Sequence, residues 1–198
     1  MKKSVLLLLG TLLIASNAFA LLDDAPDNLG MYFDTQGEVV CTTAAFLQHV
    51  PAYILYTMPT LPSVRGFEMG LDMVDAVNTS VTKIFPVPTT DVGANNTGGI
   101  SYNFIAGFAA PMLTSQVTLL CTLDIFFLDF NPVGFICGPS SPSSNSDGLA
   151  MVMRDDFSLL GVDTSNMPGE FAAQINAPEC MVVENEDASF GAVKALFR

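Results

Sequence analysis

The sequence predicts an all-β protein, a two-sheet antiparallel sandwich of Greek-key or jelly-roll type with a short C-terminal helix. Three observations predict it. About nine short β-type runs recur at spacings of roughly 10 to 20 residues, with Gly, Pro and Asn turns between them. Two of the runs alternate apolar and polar residues with a period of two. Amphipathic helices, which a parallel α/β fold needs between its strands, are not found in the intervals.

Taken in order, the first strand is the run 29–34, LGMYFD, which follows a polar stretch and precedes the turn residue Gly37. Residues 38–43 read as a second strand, and 50–58, rich in Tyr, Ile, Leu and Thr, as a third that Pro59 and Pro62 end. In 65–73 the residues Phe67, Met69, Leu71 and Met73 alternate with Gly66, Glu68, Gly70 and Asp72, so this strand has one buried and one wet face. Residues 72–81 are the one other place for a short helix. A strand is expected over 79–87, then a loop of Gly, Asn and Thr over 91–99, then a strand over 100–108.

The run 117–127 places Val117, Leu119, Cys121, Leu123, Ile125 and Phe127 on one face and Thr118, Thr122 and Asp124 on the other, which makes it a central strand. Asn131 and Pro132 turn the chain into a strand over 133–137, a β-hairpin. The Ser- and Pro-rich stretch 138–148 reads as a flexible, disordered loop. Strands over 149–153 and 179–184 follow, joined by a linker containing Gly and Pro. Ser189 caps a final helix over 190–197 with Val193, Leu196 and Phe197 on its apolar face. No repeat of fixed period is present. The organisation is a signal segment 1–20, one β-sandwich domain 21–187 and a helical tail 188–198.

The signal reading rests on Lys2 and Lys3, the apolar run 5–14 and the small-x-small triplet Ala18-Phe19-Ala20, with cleavage expected after Ala20. An apolar run of about ten residues is too short for a membrane span, which needs roughly 20. Leu21 occupies the place where a lipid-anchored protein carries Cys. Other apolar stretches are broken by Asn103, Gly107 and Pro111 or carry Asp124 and Asp129. The expected product is a soluble chain of about 178 residues, secreted or periplasmic, and not membrane-bound after cleavage. It carries five Lys plus Arg against twenty Asp plus Glu, a net charge of −15. That field argues against phosphate backbones and anionic lipid surfaces as partners. It leaves a protein or glycan at the cell surface, and divalent cations.

Four cysteines, Cys41, Cys121, Cys137 and Cys180, make an even count in an exported chain, which suggests two disulfides. Because Cys121 lies on the apolar face of its strand, a buried Cys41–Cys121 bridge is expected, leaving Cys137 with Cys180. The alternative is that some are buried thiols. No CxxC spacing or nearby His supports a zinc site.

Catalytic constellations are scarce. His49 is the one histidine and no GxSxG elbow accompanies it, so a surface or capping role is expected. Glu68 and Asp72 share a strand face at about 13 Å, too far apart for a retaining glycosidase pair, although Asp124 on a neighbouring strand would approach either. The absence of Trp weakens a carbohydrate platform. Calcium is the cofactor that charge suggests, through Asp23, Asp24 and Asp27, Asn145 and Asp147, or Glu184, Glu186 and Asp187, but no EF-hand pattern is present.

The stretch DNLGMYFD at 27–34 and the tail SFGAVKALFR at 189–198 resemble the start (NIGIYxD) and closing tail (TWGxIKALYR) of uncharacterised secreted proteins of environmental bacteria. The strand around Glu68 is similar to one in that group and, more loosely, in cohesin-like sandwiches. Phe190 stands where that tail carries Trp. The resemblance implies a secreted β-sandwich and carries no site residues with it. The sequence thus points to an exported, non-catalytic protein with a binding or extracellular structural role. The rivals are a jelly-roll carbohydrate-active hydrolase and a calcium-dependent binding module.

Overall fold

Runs that alternate or are apolar throughout can bury their side chains only by pairing edge to edge and turning a face inward. The computed structural model describes residues 25–165 and 171–180, and these form an all-β fold. Its strands are β1 (Asn28–Tyr32), β2 (Cys41–Thr42), β3 (Gln48–Thr57), β4 (Ser63–Val74), β5 (Ser80–Ile84) and β6 (Thr89–Asp91). There follow β7 (Tyr102–Leu113), β8 (Val117–Phe127), β9 (Val133–Gly138), β10 (Ala150–Met153), β11 (Leu159–Thr164) and β12 (Ala173–Ile175). A 3₁₀ turn, Pro178–Cys180, ends the described chain. The expected signal segment, the strand residues 181–184 and the tail helix lie outside the described residues.

The strands hydrogen-bond into one open sheet in the order β2-β12-β9-β4-β10-β11-β1-β3-β8-β5, with β7 on the other edge of β4 and β6 outside β7. The sheet is mixed, which corrects the wholly antiparallel expectation: β1 runs parallel to β11, and β12 parallel to β2. In both pairs the partners come from opposite ends of the chain. No tight turn joins them, so nothing imposes the antiparallel sense.

One apolar core takes side chains from both ends of this strand order. It includes Leu29 and Met31 of β1, Ile54 and Tyr56 of β3, and Leu123, Ile125 and Phe127 of β8. Phe67, Met69 and Leu71 of β4, Phe104 of β7 and Phe135 of β9 join the same cluster.

Several expectations need correction. The alternation in β8 changes phase, because Ile54 pairs with Cys121 but Leu55 with Leu119, so Leu120 is an extra, bulged residue. Thr118 and Leu120 are therefore buried, with Cys121 onward in the other phase, while Val117 and Leu119 are only partly so. Next, β8 and β9 are not a hairpin. Both edges of β8 are taken by β3 and β5, and β9 instead pairs with β4 and β12.

The wet face of β4 is also covered, since Gly66, Glu68 and Gly70 are buried. A Cβ on Gly70 would lie 2.5 Å from the Pro139 carbonyl oxygen, and one on Gly66 2.2 Å from that of Ala106. Over Glu68 and Gly70 the covering chain is the Ser- and Pro-rich loop expected to be disordered. It is fastened by Asn103, whose side chain accepts from Ser141 N at 2.9 Å and donates to the Ser141 and Ala94 carbonyls at 3.1 and 2.7 Å.

Finally, the expected linker before residue 179 contains β11 and β12, and β6 precedes the expected Asn-rich loop. These strands are three to six residues long and lack clear alternation, so local pattern does not mark them. The possible helix over 72–81 is the end of β4, a turn through Asp75 (φ 65°) and the start of β5.

Candidate functional site

Where β4 and β7 lie side by side, Gly66 faces Gly107, and Thr90 of β6 pairs with Gly107 from the other edge. Two glycines opposite each other leave a trough in the outer surface of the sheet. The Gly66 side is filled by the Ala106 carbonyl and the Met153 methyl group, but nothing lies within 4 Å of a Cβ placed on Gly107. A cleft of about 360 Å³ opens there. Its walls are Ile105 and Val92 on one side and Met151, Met153 and Leu159 on the other, so it is overwhelmingly apolar.

Strand pairing positions these walls: Met151 and Ile105 flank Glu68 from either edge of β4, and Met153 flanks Gly66. The polar end of the cleft is Glu68 with Ser144. Glu68 is 6% exposed, and its Oε1 accepts hydrogen bonds from Ser140 Oγ and from Ser144 N at 2.8 Å. This arrangement, an apolar concavity of a few hundred Å³ with a small convergent polar group, is the usual form of a small-molecule site. In the sequence the Gly66, Glu68 and Gly70 face of β4 reads as wet, and neither it nor the glycine across the sheet gives a sign of the cleft.

The carboxylates that the sequence offered as a pair are kept apart. Glu68 is on β4 and Asp124 on β8, with β10, β11, β1 and β3 between them in strand order, so Asp124 is not on a strand neighbouring β4. Asp72 accepts from Ser101 Oγ at 2.7 Å. Asp124 instead meets His49, whose Nδ1 lies 2.8 Å from Oδ1. The imidazole stacks on Phe126 with centroids 4.7 Å apart and is largely exposed. Among the described residues no hydroxyl group is hydrogen-bonded to the other ring nitrogen.

The oxygen-rich runs considered for calcium have other employment where they are described. Asp27 takes the Tyr56 hydroxyl, the Thr60 amide at 2.8 Å and the Thr60 hydroxyl at 2.6 Å. Burial raises its carboxyl, but the bonds from Thr60 and Tyr56 outweigh this and hold it below the usual aspartate value. Asn145 Nδ2 donates to Asp147 at 2.5 Å. No group of three or more His, Cys, Asp or Glu is placed to hold a metal ion among the described residues. Asp23, Asp24, Glu184, Glu186 and Asp187 lie outside them.

The cysteine pairing differs from both expected bridges. Cys41 and Cys180 form a disulfide with Cα atoms 4.9 Å apart, while Cys121 and Cys137 are buried thiols. Parallel pairing of β2 with β12 sets Gln174 beside Cys41, and the 3₁₀ turn brings Cys180 back over that residue. Cys121 points into the core from β8, far along the strand order from β2, and a bridge between them would break the ladder. Burial pushes the Cys121 and Cys137 thiols up to about 12.

No helix among the described residues is long and apolar enough to cross a membrane. Comparison with known proteins finds no matching family model and no matching curated protein.

Proposed function

We propose that the chain is an exported β-sandwich protein that acts by binding, with the cleft over Gly107 as its ligand site. The ligand is an apolar small molecule carrying one hydrogen-bond donor, which Glu68 receives at the polar end. One observation carries this reading: Gly107 lines the cleft, and a Cβ placed on it would meet nothing within 4 Å. The single core shared by strands from both ends of the sheet supports a two-layer arrangement, the shape that leaves such a cleft on an outer face. Secretion is supported by the N-terminal signal pattern and agrees with the Cys41–Cys180 bridge, which needs an oxidising compartment. Aliphatic and thioether walls suit an apolar group better than the face of a sugar, which favours aromatic platforms.

Gly107→Val tests the site. A Cβ there meets open space, so the fold should hold, while the added methyl groups occupy the cleft. We expect titration with a fluorescent long-chain alcohol, whose hydroxyl can donate to Glu68, to show at least about a tenfold loss of affinity, equivalent to about 1.4 kcal/mol. Phe130→Ser, at a separate exposed apolar residue, should leave that affinity unchanged. Equal binding by wild type and Gly107→Val would overturn the assignment.

A further inference from the structure

A second apolar surface lies at the end of the sheet where β3 begins and β8 ends. Phe46 and Phe130 stack there with ring centroids 4.5 Å apart. Their exposures are 46% and 81%, and Leu47 and Val77 beside them are 58% and 79% exposed. The chain invests structure in holding this patch. Asp129 caps the 77–79 backbone beneath Val77, and the Leu47 amide bonds the Phe127 carbonyl at 2.9 Å. Two stacked aromatic rings facing water are unusual for an uncovered surface.

We propose that this patch is covered by the chain's own segment 189–198, docked intramolecularly. Three observations select that occupant. The first is position: the described chain stops at Cys180, which the disulfide holds 4.9 Å from Cys41, and Cys41 is only five residues before Phe46. Fully extended, five residues span at most about 18 Å, so Cys180 and Phe46 lie within about 23 Å of each other. The ten residues from Cys180 to Phe190 reach about 33 Å, and the tail spans the gap with slack.

The second is chemistry. Phe190, Val193 and Phe197, with Leu196, recur at the spacing that would place them on one apolar stripe of a helix. The third is charge. The described residues carry three Lys plus Arg against fourteen Asp plus Glu, and Arg65 and Lys83 are engaged with Asp155 and Asp91. Lys194 and Arg198 bring two cations, and segment 189–198 has no acid, to an otherwise acidic body. A short tether also gives the tail an effective concentration in the millimolar range, which favours it over any partner in dilute solution.

The experiment replaces Phe130, which is 81% exposed and hence dispensable for folding, by a benzophenone-bearing phenylalanine in the full chain. After irradiation at low concentration, we expect a monomeric product in which mass spectrometry finds position 130 joined to a peptide within 189–198. Phe190→Ser with Phe197→Ser should abolish that product without changing the circular dichroism spectrum. A cross-linked dimer, attachment elsewhere in the chain, or no cross-link in the folded protein would each overturn the proposal. The outcome is independent of ligand binding at Gly107.

Discussion

Asp129 shows how a single carboxylate organises its surroundings. It is 6% exposed and accepts the amides of Val77, Asn78 and Thr79 at 3.0, 3.2 and 3.0 Å, together with the Thr79 hydroxyl. Burial raises its carboxyl, yet these donors overcome that and hold the value below the ordinary one. With a depressed native value, the unfolded chain takes up a proton before the native state does as pH falls below about 4. Stability from this group is therefore present at neutral pH and lost through the acid range. Asp129→Asn should melt at a lower temperature at neutral pH, and its stability should fall less steeply between about pH 5 and 2 in thermal melts at stepped pH. Nothing in the sequence marks Asp129 for this role, because its partners lie fifty residues away.

At the scale of elements, β5 is one of the sheet's edge strands and so a place open to wrong pairing. Its only ladder partner is β8, while its Val81 amide donates to the Tyr102 hydroxyl at 3.0 Å and its inward Lys83 reaches across to the β6–β7 pair. Lys83 Nζ lies 2.8 Å from Asp91 Oδ2, bonds the Asn103 carbonyl and sits 4.3 Å from the centre of the Phe104 ring. Asp91 Oδ1 in turn accepts from the amides of Gly93 and Ile105 at 3.0 and 3.1 Å. The side chains are 11% and 16% exposed, so removing one partner strands the other charge in a poorly hydrated place. Lys83→Met should cost about 3–5 kcal/mol in urea denaturation. The double variant Lys83→Met/Asp91→Asn should cost less than the two single changes together, and strict additivity would show that the pair is not coupled.

For the whole molecule, the disulfide matters most. Cys41 and Cys180 are 139 residues apart and close nearly the whole described chain into one loop. Cys41→Ser/Cys180→Ser should lower stability by about 2–5 kcal/mol, the usual range for a native bridge. Reduction should raise the mass by two hydrogens, for one bridge. Cys121 and Cys137 stay protonated and covered at neutral pH, so both should resist maleimide in the native protein and react once it is unfolded. A gain of four hydrogens, or rapid labelling of the native state, would contradict this arrangement.

Along the chain, period-two alternation in β4 and the apolar face of β8 were enough to establish an all-β protein, since burial of one strand face is a local property of the sequence. Local too were the turns that stop β3 at Thr57, whereas the Gly66, Glu68 and Gly70 face of β4 read as wet and gave no sign of the cleft. Partnership was not local. Which strand lies beside which, the parallel sense of β1–β11 and β2–β12, the bulge at Leu120 and the meeting of Cys41 with Cys180 depend on residues far apart in sequence. So does the cleft, because an empty space opposite Gly66 comes into being only when β7 sets Gly107 there and β6 and β10 supply its walls.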